Sequence, residues 1–455
     1  MSVFSKNKRA DVDMTVGSIF RHILMFALPL LIGNLFQQLY NMVDTWVVGN
    51  FVSNEAFSAV GTVGPIVNML IGFFAGLSSG AGVVISQNYG AGKPDKVQDA
   101  VHTAMLMTLL LGVVLTFVGI AFVPLAVRLA NTPDEVAPLS RLYLTIYFSG
   151  IMGLLIYNMG AGIFRAIGNS LLPFLFLVIS ALLNTGLDLL FVLKLGMGVD
   201  GVAYATIIAQ GVSAVLIVVM LLRTPSCARL HVTKLKIHWP ILGKIFLIGI
   251  PAALQMAITA FSNIFVMGYI NHFGKHAMSG WTAYAKVDQL LFLPMQSIAL
   301  ASTTFVGQNL GANQVDRAKK GVRTALLLAF TSTVLLSIPV MYFAPPIVEF
   351  FNSTPEVVEF GSLFLRHITP FYVLCCVNQV YASALRGSGN SRAPMVIMLS
   401  SFVVFRQIYL YIMANFISNT ILPIAFSYPA GWLVCSLATL IYYRIVPLDR
   451  HKVVA

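Results

Sequence analysis

Twelve times along its length the sequence runs apolar for roughly 20 residues or more, and no other feature restricts the fold so strongly. In lipid, backbone N–H and C=O groups have no water to bond. A crossing segment must therefore satisfy them internally, which a helix does residue by residue. Spans are expected near 19–48, 56–85, 98–126, 138–163, 171–193, 201–222, 240–269, 277–306, 320–343, 361–385, 393–416 and 420–443. Composition agrees: 58% of residues are hydrophobic and 10% charged, where a soluble domain carries about a quarter charged. The chain reads as an all-α membrane protein surrounded by a lipid bilayer.

A net charge of +12 would suit a nucleic-acid partner if it were clustered, but Lys and Arg are scattered among short connections. That scatter is a topology signal, and no nucleic-acid partner is expected. With the N-terminus cytoplasmic, twenty-one Lys and Arg fall on the cytoplasmic side, including Lys6, Lys8, Arg9, Arg165 and Arg386; only Arg128, Arg141, Lys194 and Lys275 fall opposite. The positive-inside rule then places both termini in the cytoplasm and requires an even number of spans. The apolar run from Ile23 is too long for a signal-peptide core and should remain as the first span. The four cysteines have no paired or metal-like spacing and read as small core residues.

The chain also repeats itself. "SQNYGAGKPDKVQDAVHTAM" from Ser86 resembles "GQNLGANQVDRAKKGVRTAL" from Gly307, and "FRAIGNSLLPF" from Phe164 resembles "LRGSGNSRAPM" from Leu385, both displaced by 221 residues. "ALPLLI" at Ala27 resembles "GIPAAL" at Gly249, displaced by 222. Three segments in one order mean a duplicated six-span unit. Six is even, so both copies enter from the same side and are related by an axis along the membrane normal. The expected architecture is two six-helix lobes facing a cleft: residues 1–222 (spans 1 to 6), a cytoplasmic linker at 223–239, and residues 240–455 (spans 7 to 12).

An ionisable side chain inside a span costs several kcal/mol or more and needs a reason. In the first span Gln37, Tyr40, Asn41 and Asp44 fall at i, i+3, i+4 and i+7, one helical face. Asn184 and Asp188 share a face of the fifth span, and Thr206 lies in the sixth. Two carboxyls, an amide and a hydroxyl from three helices of one half can converge on a pocket for protons or for a Na⁺ ion with oxygen ligands. The bland alternative is that these groups only cross-link helices. For Asp44, beside Trp46, it is solvation at the interfacial belt. Asn158 in the fourth span is a further candidate contact. The second half lacks these acids: the stretch that answers Asp44 offers Asn263 nearby, and Asp188 falls on Tyr409. It carries Lys286, Asp288 and Arg406 instead. A salt bridge from Arg406 to Asp288 and a substrate contact are both open readings. Pro29 removes one backbone hydrogen bond about four turns before Asp44 and can kink the first helix.

Taken together, "YNMVDTWVVG", "QNYGAG", "FRAIGN" and "NTGLDLLF…GMGVDGVAYAT", with the second-half copies "GQNLGA" and "LRGSGN", resemble the multidrug and toxic compound extrusion (MATE) family over nearly the whole chain. The resemblance is greatest to the prokaryotic branch that includes the DNA-damage-inducible-type transporters. It implies a non-enzymatic antiporter, active without a cofactor, that exports small amphipathic and often cationic compounds across the prokaryotic inner membrane against H⁺ or Na⁺. It carries the ion site over onto Asp44, Asn184, Asp188 and Thr206, with Gln37, Tyr40 and Tyr143 nearby, and Pro29 matches a proline at which the family's first helix is proposed to bend. Other branches hold acids in the seventh and tenth spans. Here "PAALQMAITAFSN" and "LCCVNQVY" have none, which argues against an ion site in the second lobe. A monomer is expected.

Rival functions fare less well. A flippase for a lipid-linked or anionic amphipathic substrate is the alternative that Lys286 and Arg406 leave open. An intramembrane aspartyl protease would need Gly-x-Gly-Asp, which neither "NTGLD" nor "NMVD" supplies. An ATP-driven pump would need G-x-x-x-x-G-K-[ST] and a soluble domain to hold it, and both are missing.

Overall fold

The first helix, α1 (Ile19–Phe51), begins where Ser18 accepts a hydrogen bond from the Arg21 amide, and it runs unbroken through Pro29. It belongs to a computed structural model that describes residues 12–130 and 132–454, apart from the side chains of Asn54, Ala260, Phe261 and Ile264. Lys6, Lys8 and Arg9 of the topology argument lie outside the described residues. The first half continues with α2 (Asn54–Gly90), α3 (Pro94–Leu129), α4 (Ala137–Ser149), α5 (Ile151–Ala166), α6 (Leu171–Leu189) and α7 (Val199–Arg223). The second holds α8 (Trp239–Asn271), α9 (Lys275–Gly311), α10 (Val315–Tyr342), α11 (Ala344–Phe351), α12 (Pro355–Ile368), α13 (Tyr372–Gly387), α14 (Arg392–Leu399), α15 (Arg406–Ile412), α16 (Ile421–Ala425) and α17 (Ser427–Ile445).

Among the described residues, eleven spans are long and apolar enough to cross a membrane, and α4 with α5, bent by 49° at Gly150, makes a twelfth. The protein is a multi-pass membrane protein with twelve helical spans in two lobes. Differences from the expected bounds have local causes. The second and eighth spans run to Gly90 and Gly311, past the expected 85 and 306, because the polar "QNYG" and "QNLG" stretches are helical and buried between helices. The tenth span is broken by a 3₁₀ turn at Thr369–Phe371, where Pro370 has no amide to donate. Arg165 and Arg386, read as connection cations, sit in the last turns of α5 and α13; Arg386 is buried against Gln255 and Ser383.

The first helix of each half crosses to the other half. Ile23, Phe26, Ala27 and Leu30 of α1 join the core that α9, α10, α12 and α13 build, and α8 packs along α2. That second crossing is backbone on backbone: a Cβ on Gly80 would lie 2.7 Å from the Gly249 Cα. Both crossings lie in the part of each helix nearest the chain termini. Beyond Leu30, α1 leans on α6 of its own half. The outer stretch of α1, with its polar stripe, is thereby set against the fifth span.

Candidate functional site

A cavity of about 370 Å³ opens within the first half, bounded by α1, α2, α5, α6 and α7 with Gln296 and Leu300 of α9 on its far wall. From α1 it takes Pro29, Asn34, Gln37 and Tyr40; from α5, Tyr157, Asn158 and Arg165; from α6 and α7, Ser180, Asn184, Thr206 and Gln210. One turn past Tyr40 on α1 and past Asn184 on α6, Asp44 and Asp188 close the cavity's end. Their carboxyl groups face each other.

What sets this end apart is unused hydrogen-bonding capacity. Asp188 is wholly buried and Asn184 is 2% exposed. Asp44 Oδ1, both carboxylate oxygens of Asp188, and both the oxygen and the nitrogen of the Asn184 amide are buried with no hydrogen-bond partner. Thr206, which lines the cavity, donates through Oγ1 to the Val202 carbonyl at 3.0 Å, which leaves its lone pairs free to accept. Buried polar atoms in folded proteins are nearly always paired, and burying a charge without a partner is costlier still. Five such atoms from three side chains lie together here, three of them carboxylate oxygens, and the two acids can answer each other only by sharing a proton. This chemistry fits a proton or a Na⁺ ion as cargo. Among the described residues, no group of three or more His, Cys, Asp or Glu could hold a metal ion.

Around this core the sequence-chosen residues divide. Gln37, Tyr40 and Asn158 line the cavity, and Asn158 is fixed by donating to the Leu154 carbonyl at 2.8 Å. Tyr143 is buried and stacks on Tyr147 with ring centroids 6.3 Å apart. Asn41 is exposed and does not line the cavity. At about 100° per residue, Tyr40 and Asn41 fall on opposite edges of the polar stripe, and only the Tyr40 edge faces α6. Asp44 is not solvated at an interfacial belt, since Oδ1 is buried. Trp46, on the exposed side, packs edge-on against Phe51. Arg165, Gln210 and Tyr157 are wall residues that hydropathy does not flag, because the first looks like a loop cation and the others are ordinary at a helix–helix contact.

In the second half the expected ion pair does not form. Asp99 pairs with Lys96, and with His238 when that ring is protonated, but Arg406 and Asp288 do not pair with each other. Arg406 is 3% exposed and donates to Ser262 Oγ at 2.7 Å and Asn263 Oδ1 at 2.9 Å, with its guanidinium 4.8 Å from the centre of the Tyr428 ring. Asp288 instead accepts from the hydroxyls of Tyr284 and Tyr372. Tyrosines compete well here because they satisfy a carboxylate without bringing a second charge into the bilayer. Lys286 is exposed.

Known proteins share this framework. The MatE family model matches residues 29–190 and again 251–412, a displacement of 222, which confirms the duplication. At that displacement Asp188 answers to Leu410 and Asn184 to Arg406, and at the 221 of the adjacent repeat to Tyr409 and Phe405. The chain is 29% identical over 438 residues to the "Probable multidrug resistance protein YoeA" of Bacillus subtilis, with 94% of each covered. It is 27% identical to the "Probable multidrug resistance protein NorM" of Thermotoga maritima, covering 88% of this chain and 87% of that one. It is 25% identical to a "FAD transporter" of Shewanella oneidensis, with 88% of each covered. A solved "outward-facing conformation of a multidrug resistance MATE family transporter" superposes with a TM-score of 0.91 at 22% identity, covering 97% of this chain and 98% of that one.

Proposed function

Since the chain belongs to the MatE family of multidrug efflux transporters, we propose that it exports amphipathic organic cations in exchange for H⁺ or Na⁺, by alternating access. One observation carries this reading: the facing carboxyls of Asp44 and Asp188, whose buried oxygens have no partner beyond each other. Two carboxylates in one desolvated pocket repel, and a single positive charge between them relieves both the repulsion and the unmet bonds. A proton, a Na⁺ ion or the charged end of a substrate can each supply it. Competition among them for one place is what antiport requires.

The coupling cation is held by Asp44 and Asp188, with the Asn184 carbonyl and Thr206 hydroxyl completing an oxygen shell when the ion is Na⁺. Gln37, Tyr40 and Asn158, with Tyr143 behind them, give an organic substrate polar and aromatic contacts. Arg165 at the other end of the cavity repels cations there and so favours a substrate with its charged end toward the acids. Pro29 leaves one carbonyl of α1 without its helical partner, so α1 can bend there as the charge beside Asp44 changes. In this reading residues 1–222 form one lobe and 240–455 the other, joined at 223–239. The protein works as a monomer in the inner membrane, with the terminus-bearing end in the cytoplasm.

The test is efflux of a fluorescent organic cation from everted vesicles under separately imposed pH and Na⁺ gradients. One gradient is expected to drive transport in the wild type and neither in Asp188→Asn at equal expression. Ion-driven efflux that survives Asp188→Asn would overturn the assignment.

A further inference from the structure

The repeated "QN" stretches close the molecule at the end opposite the acids. Gln87 on α2 and Gln308 on α9 are both fully buried. Gln87 donates through Nε2 to the Gly387 carbonyl at 2.9 Å, at the end of the tenth span, and its Oε1 accepts from the Val453 amide of the C-terminal segment at 2.7 Å. Gln308 repeats the pattern in mirror. Its Nε2 donates to the Ala166 carbonyl at 2.9 Å, at the end of the fourth span, and its Oε1 accepts from the Met14 amide of the N-terminal segment at 3.0 Å. All four bonds cross between halves. Each glutamine therefore uses both ends of its amide to tie its own half to a span end and a chain end of the other half.

The segments are held further by cations and amides around them. Arg317 donates to the Met14 and Gly17 carbonyls and Asn309 to Met14, while Lys244 donates to the Val453 carbonyl at 2.8 Å. Met14 is 1% exposed. At the crossing itself the helices touch through backbone: a Cβ on Gly90 would lie 1.9 Å from the Gln308 carbonyl oxygen, and one on Gly311 2.0 Å from that of Gln87. Such an approach excludes water and substrate completely, so any opening at this end must break the four glutamine bonds.

We propose that Gln87 and Gln308 are paired gate residues, each locking one chain end across the two lobes, so that this end opens only as both chain ends release. The inference rests on the alternating-access reading but not on the ion site. It predicts that Asp44 and Asp188 act on a gate they do not touch, through the tilt of α1, whose first residues follow directly on the Met14 segment.

Spin labels at Lys96→Cys and Lys320→Cys, on exposed positions just past the two motifs, report the separation of the halves by pulsed electron resonance in nanodiscs. The background has the four native cysteines replaced by alanine. Wild type is expected to show a dominant short distance and a minor long one. Gln87→Ala with Gln308→Ala should raise the long-to-short ratio about tenfold or more, with each single variant in between. Two wild-type distances whose proportion ignores both glutamines would overturn this inference alone, even if the variants melt earlier. A wild type fixed at one distance would overturn it together with alternating access. Should the double variant not fold, hydrogen exchange in the wild type decides. Segments 12–17 and 448–454 should open together, and independent fraying of the two would sink the proposal.

Discussion

Within one residue of the position that answers Asn184, the second half carries Arg406, and the two surroundings differ in kind. Around Asn184, five buried polar atoms of Asp44, Asp188 and Asn184 have no partner. Around Arg406, the permanent cation is met by Ser262 and Asn263 through Nη2 and by the face of Tyr428, with its buried Nε left unbonded. The scaffold is the same, so helix packing does not demand acids at this place. In the second half a resident guanidinium stands where the proposal puts a mobile ion in the first. The first half has kept the same position unsatisfied. That contrast is the strongest argument that Asp44 and Asp188 are there to bind.

The comparison can be broken in several ways. Asp188→Asn, or Asp44→Asn, should abolish ion-driven efflux by about a hundredfold or more, because an amide can neither take up a proton nor offset a cation; transport by equally expressed variants in everted vesicles measures this. Asn184→Arg transplants the second half's solution into the first. A fixed guanidinium beside both acids should occupy the cargo's place and remove efflux nearly as fully, while the melting temperature holds or rises. Arg406→Gln should do the reverse. Losing its bonds to Ser262 and Asn263 is expected to cost about 1–3 kcal/mol of stability and lower the melting temperature by a few degrees. Efflux per folded molecule should stay within about twofold. The smallest effect is expected from Thr206→Val. It removes one neutral oxygen, so the half-saturating Na⁺ concentration should rise about threefold to tenfold if Na⁺ is the coupling ion. Under a pH gradient it should change nothing.

Much of this was legible in the sequence because the bilayer is an unforgiving solvent. Twelve apolar stretches, the "QN" and "GN" repeats, and acids at Asp44 and Asp188 all stand out against a uniform background; Asn184 follows from its spacing to Asp188, and Thr206 from its hydroxyl within the sixth span. What the sequence hid depends on which helix meets which. Asp288 found two tyrosines before it found Arg406, and both residues look equally eligible for an ion pair until α8, α9 and α13 are packed. Arg165 was lost for the opposite reason: the signal that fixes topology also labels every cation near a span end as a loop residue. Asn41 shared a stripe with Gln37 yet missed the cavity, because a stripe spans more of the helix than a neighbouring helix covers. The docking of the chain ends at Gln87 and Gln308 runs through backbone amides, which carry no residue signature at all.

The central claim, one coupling cation held between two acids of the first half and none in the second, is best tested by counting. Purified protein can be titrated with a fluorescent organic cation while proton release and displacement of radioactive sodium are followed in the same sample. The account predicts about one cation released per chain in the wild type, none in Asp44→Asn or Asp188→Asn, and an unchanged count in Asp288→Asn. Release that persists in Asp188→Asn, or that disappears in Asp288→Asn instead, would contradict it.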